Sequence, residues 1–579
     1  MKAIRPPLSD MAIPALAAVA LLAALAHWPA IDGGFISDDL RYIADNEALK
    51  AIPLAQFWLV FMTATVPDEY LPLRDLSYLI DFNLSGLETR GYHLHNLLLY
   101  ALDILVLGRA ARAVLDLMDW GEENREAVAF LAALLFAVHP AHVEAVAWIA
   151  GRKDLLANLF MGLSLWAFAR AFAGNEVQRR LYALALLAYG AALLSKSAAL
   201  PWPLVLGLLL AARLRPALGW RQACLRAMLW TAPFLLLALA MAGLFLVLVT
   251  SRQMVPGGVW PGALPFSERL LLILGHHGLI ALWPSGLHVT RDIYAPSLLP
   301  VALALGAASL GVAAWGAWAA LMRGSLAGLG LAIFTLAQIP YLHIVPFYTW
   351  SLASDRFLFM ASFGLALALA AFMPRLRPAF ALGLALVLAA GGLVSIWQRS
   401  GDWQSLDALT RANARVAPSH HFAQFLRAYT IIQGDGDWAE ARQAAASVAH
   451  LEARKTLQAY VEAAGEVRAI LADRGNPRQA FLATANFDAS VRGLYSLVPP
   501  ADMALAGLVL RLREMCLIFY EILAHQPAVT GPANYNLALL LDGLGRQNEA
   551  RLRFRRALSS GKLEPEAAET ARNYPGVLR

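Results

Sequence analysis

The chain has 579 residues, 59% of them hydrophobic and 15% charged, where soluble domains run nearer a quarter charged. That composition excludes an ordinary soluble enzyme and points to a polytopic membrane protein. The formal charge of +6 rests mostly on arginines of connecting loops, which argues against a nucleic-acid partner, and two cysteines make no metal or disulfide framework.

Apolar stretches long enough to cross a bilayer recur up to about residue 396, and beyond that point charges arrive every few residues. The sequence therefore reads as a membrane domain at 1–397 and a soluble domain at 398–579. Eleven spans are expected, at 11–30, 92–115, 127–148, 154–172, 180–196, 198–212, 228–250, 298–322, 327–346, 357–373 and 378–396. Lys2 and Arg5 precede the first. It reads as a retained span, with a signal peptide cleaved near Ala26 as the alternative.

The loop 31–90 holds ten acids against four bases, Arg41, Lys50, Arg74 and Arg90, and loops poor in Lys and Arg tend to lie outside. Near its start stand Asp38 and Asp39, in Gly34-Phe-Ile-Ser-Asp-Asp-Leu-Arg-Tyr42. Adjacent carboxylates at a membrane surface are costly to place there, and such a pair can divide general-base and charge-stabilising duties. Phe57, Trp58 and Phe61 have amphipathic spacing, so part of 40–70 is expected to lie on the membrane as a helix.

His139 and His142 come next, followed by Glu144. Their spacing suits a metal, but Pro140 disturbs the helix and local hydrogen bonding is the competing reading. Arg152 and Lys153, at an external mouth, suit a phosphate. Lys196 and Arg356 also fall at external span ends, where such residues either snorkel to the interface or join a clamp for a lipid phosphate. Arg109, Arg112 and Arg125, then Arg170, Arg179 and Arg180, then Arg213, Arg215, Arg221 and Arg226, and finally Arg375 and Arg377 mark inside turns. Reading the ambiguous segment 268–284 as interfacial or re-entrant keeps all of them inside. The amino end is then cytoplasmic and the carboxyl domain external.

In the tail, Leu537, Ala538, Leu541, Gly545, Ala550, Phe554 and Ala557 have the spacing of a tetratricopeptide repeat, with an echo at Gly436–Ala441. A lone repeat cannot bury its faces, so 400–579 is expected to stack as an α-solenoid. Such solenoids hold peptides or proteins, and a plain cap on the membrane domain is the alternative.

Several motifs carry a family likeness: Phe35-Ile-Ser-Asp-Asp, Tyr70-Leu-Pro-Leu, Tyr92-His-Leu-His-Asn-Leu-Leu-Leu, His139-Pro-Ala-His-Val-Glu-Ala-Val-Ala-Trp, Gly151-Arg-Lys-Asp-Leu-Leu, Leu194-Ser-Lys and Asp355-Arg-Phe-Leu-Phe. With the repeat tail, this order resembles the tetratricopeptide-repeat O-mannosyltransferases, a group of GT-C membrane glycosyltransferases. Ser197, Leu71, Tyr100, Phe357 and Phe359 depart from the family's usual residues.

The resemblance implies an all-α fold, a GT-C-like bundle of about eleven spans followed by the solenoid. It also implies transfer of a sugar such as mannose from a polyprenyl-phosphate donor to a hydroxyl acceptor, with inversion. Asp38 would be the general base and Asp39 its partner. Arg152, Lys153, Lys196 and Arg356 would hold the donor phosphate, with His93, Asn96, His139, Glu144, Asp154 and Arg74 as supporting polar groups. No metal ligand set is implied, and a divalent cation stays open. The expected partners are the lipid-linked sugar, membrane lipid, and a protein or peptide acceptor held by the repeats. The expected setting is a bacterial inner membrane, with the carboxyl domain periplasmic. The other readings are a membrane-anchored scaffold without activity and an enzyme acting on a glycan or lipid acceptor.

Overall fold

The computed structural model describes residues 8–66, 69–121, 124–252, 265–289, 291, 297–344, 351–434, 436–497 and 503–577. Lys2, Arg5, Asp68 and the end of the expected span 327–346 lie outside them. The chain divides into two compact units: Met1–Gln253 with Phe266–Phe347 and Leu352–Leu409, and Met254–Pro265 with Tyr348–Ser351 and Thr410–Arg579. Among the described residues there is no strand, only one isolated bridge between Val66 and Glu69.

The first unit runs through α1 (Leu8–Leu25), α2 (Glu47–Lys50), α3 (Pro72–Ser85), α4 (Thr89–Leu117), α5 (Arg125–Ala137), α6 (Val143–Ala147), α7 (Arg152–Ala171) and α8 (Arg179–Ser195). It continues with α9 (Trp202–Arg252), α10 (Phe266–Leu282), α11 (Leu299–Arg323), α12 (Leu326–Leu336), α13 (Phe359–Phe372) and α14 (Pro378–Gly401). The expected spans fall on these helices and the short helical turns beside them, but 127–148 is divided between α5 and α6 by the break at Pro140. The spans at 198–212 and 228–250 are joined in α9, which breaks only at Gly219 (φ 72°).

Among the described residues four helical segments are long and apolar enough to cross a bilayer, Ser197–Val247, Leu299–Arg323, Asp355–Arg375 and Pro378–Gly401; a fifth arises if Arg125–Ala137 and Pro140–Ala147, bent by 54°, are taken together. The chain is an integral membrane protein. The other expected spans lie on helices that are shorter or carry charge, such as α4 with Asp103, Arg109, Arg112 and Asp116. Asp103, Arg112 and Asp116 have partners within the protein, as ionisable groups at membrane depth tend to, whereas Arg109 is exposed. Asn158 of α7 donates to Asp103 at 3.0 Å, and Arg112 reaches Asp116 and Glu126. By contrast, α14 leaves Phe380, Leu382, Leu386 and Val387 exposed, an apolar face of the kind that meets lipid.

The ambiguous segment is α10, a 17-residue helix. It crosses α11 with backbones in contact, since a Cβ at Gly275 would lie 1.8 Å from the Ala302 carbonyl and one at Gly306 would lie 1.9 Å from that of Leu271. Small residues at a crossing allow this approach. The segment Leu54–Phe61 is helical, with Val60 buried and Leu54, Phe57 and Trp58 exposed, the amphipathic arrangement expected of an interfacial helix.

After α15 (Leu406–Val416), the second unit is a succession of helices: α16 (His421–Gln433), α17 (Trp438–Ala446), α18 (Leu451–Leu471), α19 (Pro477–Leu497), α20 (Met503–Ala524), α21 (Thr530–Asp542), α22 (Gln547–Ser559) and α23 (Pro565–Asn573). Neighbours in sequence pack on one another. The expected repeat is the α21–α22 pair, where Leu537, Ala538, Leu541, Ala550, Phe554 and Ala557 are all buried. In the echo, Asp437 caps α17 by accepting from the Ala439 N–H at 2.8 Å, and Ala441 is buried. Rings of Phe425, Tyr460, Phe487 and Phe519 join into one core.

Candidate functional site

The acidic turn begins at Ser37, a non-glycine residue at φ 53°, a conformation that concentrates at functional sites because it costs energy to hold. From there the two aspartates part company. Asp39 is fully buried and accepts the Ile36 N–H at 3.0 Å and the Ala150 N–H at 2.7 Å. Burial pushes its carboxyl up to about 8, against the pull of those two N–H groups, while the Asp38 charge pushes it the same way. Through those two bonds Asp39 holds the turn onto the Trp148–Ala150 corner. Asp38 is half-buried, and among the described residues its carboxylate has no hydrogen bond or ion pair. It lies within electrostatic reach of Lys153, Arg356 and Tyr42.

That corner is a break between α6 and α7, and Asn96 holds it. The Asn96 amide donates to the Val146 carbonyl at 3.2 Å and the Trp148 carbonyl at 3.0 Å, while its oxygen accepts from Arg152 Nε at 2.8 Å. Gly151 is required there, because a Cβ would lie 2.2 Å from the Ala145 carbonyl oxygen. His93 is buried against the Gly33 carbonyl at 3.1 Å.

Arg152, expected at a phosphate, faces inward. It is fully buried, ion-paired with Asp81 and bonded to the Tyr92 carbonyl at 2.7 Å as well as to Asn96. Its neighbour Lys153 points elsewhere: its amine donates to Tyr42 Oη at 3.2 Å and lies 4.0 Å from Glu69. Tyr42 in turn donates to Glu69 at 2.9 Å. Arg74 is buried, paired with Glu69 and Asp75, and stacked 4.2 Å from the Tyr42 ring. Burial would raise the Glu69 carboxyl, but Lys153 and Arg74 overcome it and hold Glu69 down at about 2.

Lys196 and Arg356 each hold a carboxylate too. Lys196 pairs with Asp154, and its amine sits 5.4 Å from the Tyr341 ring centroid. Arg356 pairs with Glu144, which also accepts the Arg356 backbone N–H at 3.0 Å, and its guanidinium lies 5.4 Å from the Trp148 ring centroid. Lys153 and Arg356 lie within electrostatic reach of Lys196. Lys153, Lys196 and Arg356 are thus one cationic cluster, partly exposed, with the unpaired Asp38 in its field. Arg152, Asn96, His93 and Arg74 form the frame behind it.

The histidines do not join this cluster. His139 lies 3.2 Å from the Ala281 carbonyl, and His142 lies 3.0 Å from Tyr100 Oη and 2.7 Å from Ser362 Oγ. Among the described residues no group of three or more His, Cys, Asp or Glu is placed to hold a metal ion. Beside the cations opens an apolar pocket lined by Leu71, Leu193, Met241, Leu244 and Phe245, with Glu69, Tyr70 and Ser197 at its polar side. Sequence reasoning missed the roles of Glu69, Tyr42 and the Arg291–Asp355 pair at 3.2 Å. Tyr42 closes the aspartate motif, which was a usable signal; the other pairings join distant segments.

No protein-family model matches the chain. Among curated proteins, Protein O-mannosyl-transferase TMTC4 of Mus musculus is 36% identical over 160 residues, 25% of this chain and 22% of that protein. The chain is similar to protein O-mannosyl-transferases. TMTC3 of Homo sapiens is 31% identical over 152 residues, covering 25% of this chain and 16% of its own, and TMTC1 of Mus musculus is 33% identical over 171 residues, covering 28% and 17%. The chain thus spans about a fifth of the length of the relatives it matches. The crystal structure of ArnT from Cupriavidus metallidurans bound to undecaprenyl phosphate aligns with 90% of this chain and 80% of its own, at 13% identity and a TM-score of 0.34. That likeness is too weak to assign a fold.

Proposed function

We propose that the chain is a GT-C-type membrane glycosyltransferase, moving a sugar such as mannose from a polyprenyl-phosphate donor to a hydroxyl of a protein acceptor. The observation that carries this reading is the unpaired Asp38 carboxylate within reach of Lys153 and Arg356. A general base must be free to take a proton, and a leaving phosphate needs cations that are already in place. Similarity to the O-mannosyl-transferases supports the class of reaction.

In this mechanism Asp38 removes the proton of the acceptor hydroxyl, whose oxygen forms the new bond to the anomeric carbon. The bond from that carbon to the phosphate oxygen breaks on the opposite side, so the configuration inverts. The electron pair leaves with the lipid phosphate, whose charge Lys196 and Arg356 neutralise, aided by Lys153. Asp154 and Glu144 hold these cations and share them with the phosphate. The pocket of Leu71, Leu193, Met241, Leu244 and Phe245 suits the first isoprene units of the donor lipid. The basic turns favour an amino end inside and a site outside; on this reading the membrane is a bacterial inner membrane and the repeats take the acceptor on its periplasmic side.

The test is transfer from a panel of radiolabelled polyprenyl-phosphate sugars to membrane-extract acceptors, comparing wild type with Asp38→Asn. Transfer by wild type alone supports the enzyme and names the donor. No transfer by either protein, with every donor in the panel, sinks it in favour of the scaffold reading.

A further inference from the structure

The acidic turn is also touched by the far end of the membrane unit, at the exit of α14. The Gln404 carbonyl accepts the Gly34 N–H at 3.3 Å, and the Gln404 side-chain amide donates to the Pro29 carbonyl at 2.8 Å, across 375 residues of sequence. Next to it Trp403, only 3% exposed, stacks on Trp148 with centroids 6.0 Å apart and planes at 29°. Trp148 in turn donates its indole N–H to the Ile36 carbonyl at 3.3 Å. The approach is close enough to demand glycine at position 33, where a Cβ would sit 2.9 Å from the Trp403 carbonyl oxygen.

We infer that Trp403 and Gln404 are positioning residues for the acidic turn. They form a strap from the end of α14 that sets where Asp38 stands. This rests on the glycosyltransferase reading only for its functional meaning. The contacts converge on Gly33, Gly34, Ile36 and Trp148, which are the residues that flank the Asp38–Asp39 turn or receive it. Trp148 also lies under the Arg356 guanidinium, so the same stack places one arm of the cation cluster.

Hydrogen–deuterium exchange on the full-length protein in lipid nanodiscs tests this without any sugar transfer, so failure of the enzymatic reading leaves the test intact. The variants are Trp403→Ala, Trp403→Phe and Gln404→Ala, and the peptides are those covering 34–42, 148–152 and 28–34, with 128–137 of α5 as control. Trp403→Ala is expected to speed exchange in the first two peptides by about two- to tenfold, the range set by an aromatic pair's stacking energy, and to leave α5 unchanged. Trp403→Phe, which keeps the stack, is expected to restore wild-type rates. Gln404 is exposed, so its alanine variant folds even if Trp403→Ala does not; it loses the side-chain bond to Pro29 and keeps the backbone carbonyl that accepts the Gly34 N–H, so it is expected to speed exchange in the peptide covering 28–34. Exchange in 28–34 that is unchanged in Gln404→Ala, or a phenylalanine variant as fast as the alanine one, overturns the inference. So does acceleration shared equally by α5.

Discussion

Replacing Arg152 by alanine separates a phosphate ligand from a frame residue. The guanidinium is fully buried, paired with Asp81 and bonded to Asn96 Oδ1 at 2.8 Å and the Tyr92 carbonyl at 2.7 Å. Removing it leaves the Asp81 carboxylate buried with only His95, at 2.7 Å, as a partner, and leaves the Asn96 oxygen without its donor. Breaking a buried pair by deleting one partner costs about 3–5 kcal/mol. The individual hydrogen bonds are not added to this, because they are parts of the same loss. The expected outcome is a marked fall in the unfolding midpoint in detergent. Loss of transfer is expected too, because Asn96 and the corner it holds come loose. Arg152→Met combined with Asp81→Leu is expected to be less destabilised than Arg152→Ala, since no charge is left stranded in that pair. The assay is thermal unfolding beside binding of undecaprenyl phosphate. If Arg152→Ala keeps the wild-type midpoint while binding of the lipid phosphate weakens, Arg152 meets the donor and its assignment to the frame is refuted.

The two aspartates are expected to fail differently. Asp38→Asn abolishes transfer at an unchanged midpoint, whereas Asp39→Asn sets an amide N–H₂ against a backbone N–H, costs about 1–3 kcal/mol of stability and lowers the midpoint; equal midpoints for the two variants would contradict the geometry. Binding of a phosphodiester sugar donor is expected to weaken in Lys196→Met and to persist in Lys196→Arg, since a guanidinium keeps the charge; equal loss in the two variants would count against a phosphate at Lys196. Gly151→Ala must push the Ala145 backbone aside, with an expected cost of about 1–3 kcal/mol and faster exchange of the Ala150 amide, read by unfolding and deuterium uptake.

Much of the fold was legible because its signals are local. Apolar runs gave the helices, and the spacing from Leu537 to Ala557 gave the α21–α22 pair. The number of apolar helices was harder to read, since α4 and α7 carry charges that their neighbours satisfy, and hydropathy does not see partners. The site was half legible for the same reason. Lys196 and Arg356 were visible as cations at span ends, but Asp154 and Glu144, which hold them, lie 42 and 212 residues away in sequence. No spacing rule links residues that far apart.

Adjacent residues also split by direction. On a helix, neighbours point about 100° apart, so Arg152 and Lys153 at the start of α7 cannot both face the same space. Arg152 turns into the bundle and Lys153 toward Tyr42 and Glu69. The strained turn at Ser37 divides Asp38 from Asp39 in the same way. In both pairs one member is buried and saturated with partners, and the other stays near the opening. A single buried charge could not be held at such a site without a frame, because an unpaired ion in a dry bundle is too costly. Doubling the residue supplies that frame beside each functional group: Asp39 anchors the turn that offers Asp38, and Arg152 anchors the helix start that offers Lys153. The doubled motifs therefore read as one holding residue and one acting residue, with the neighbouring segments deciding which is which.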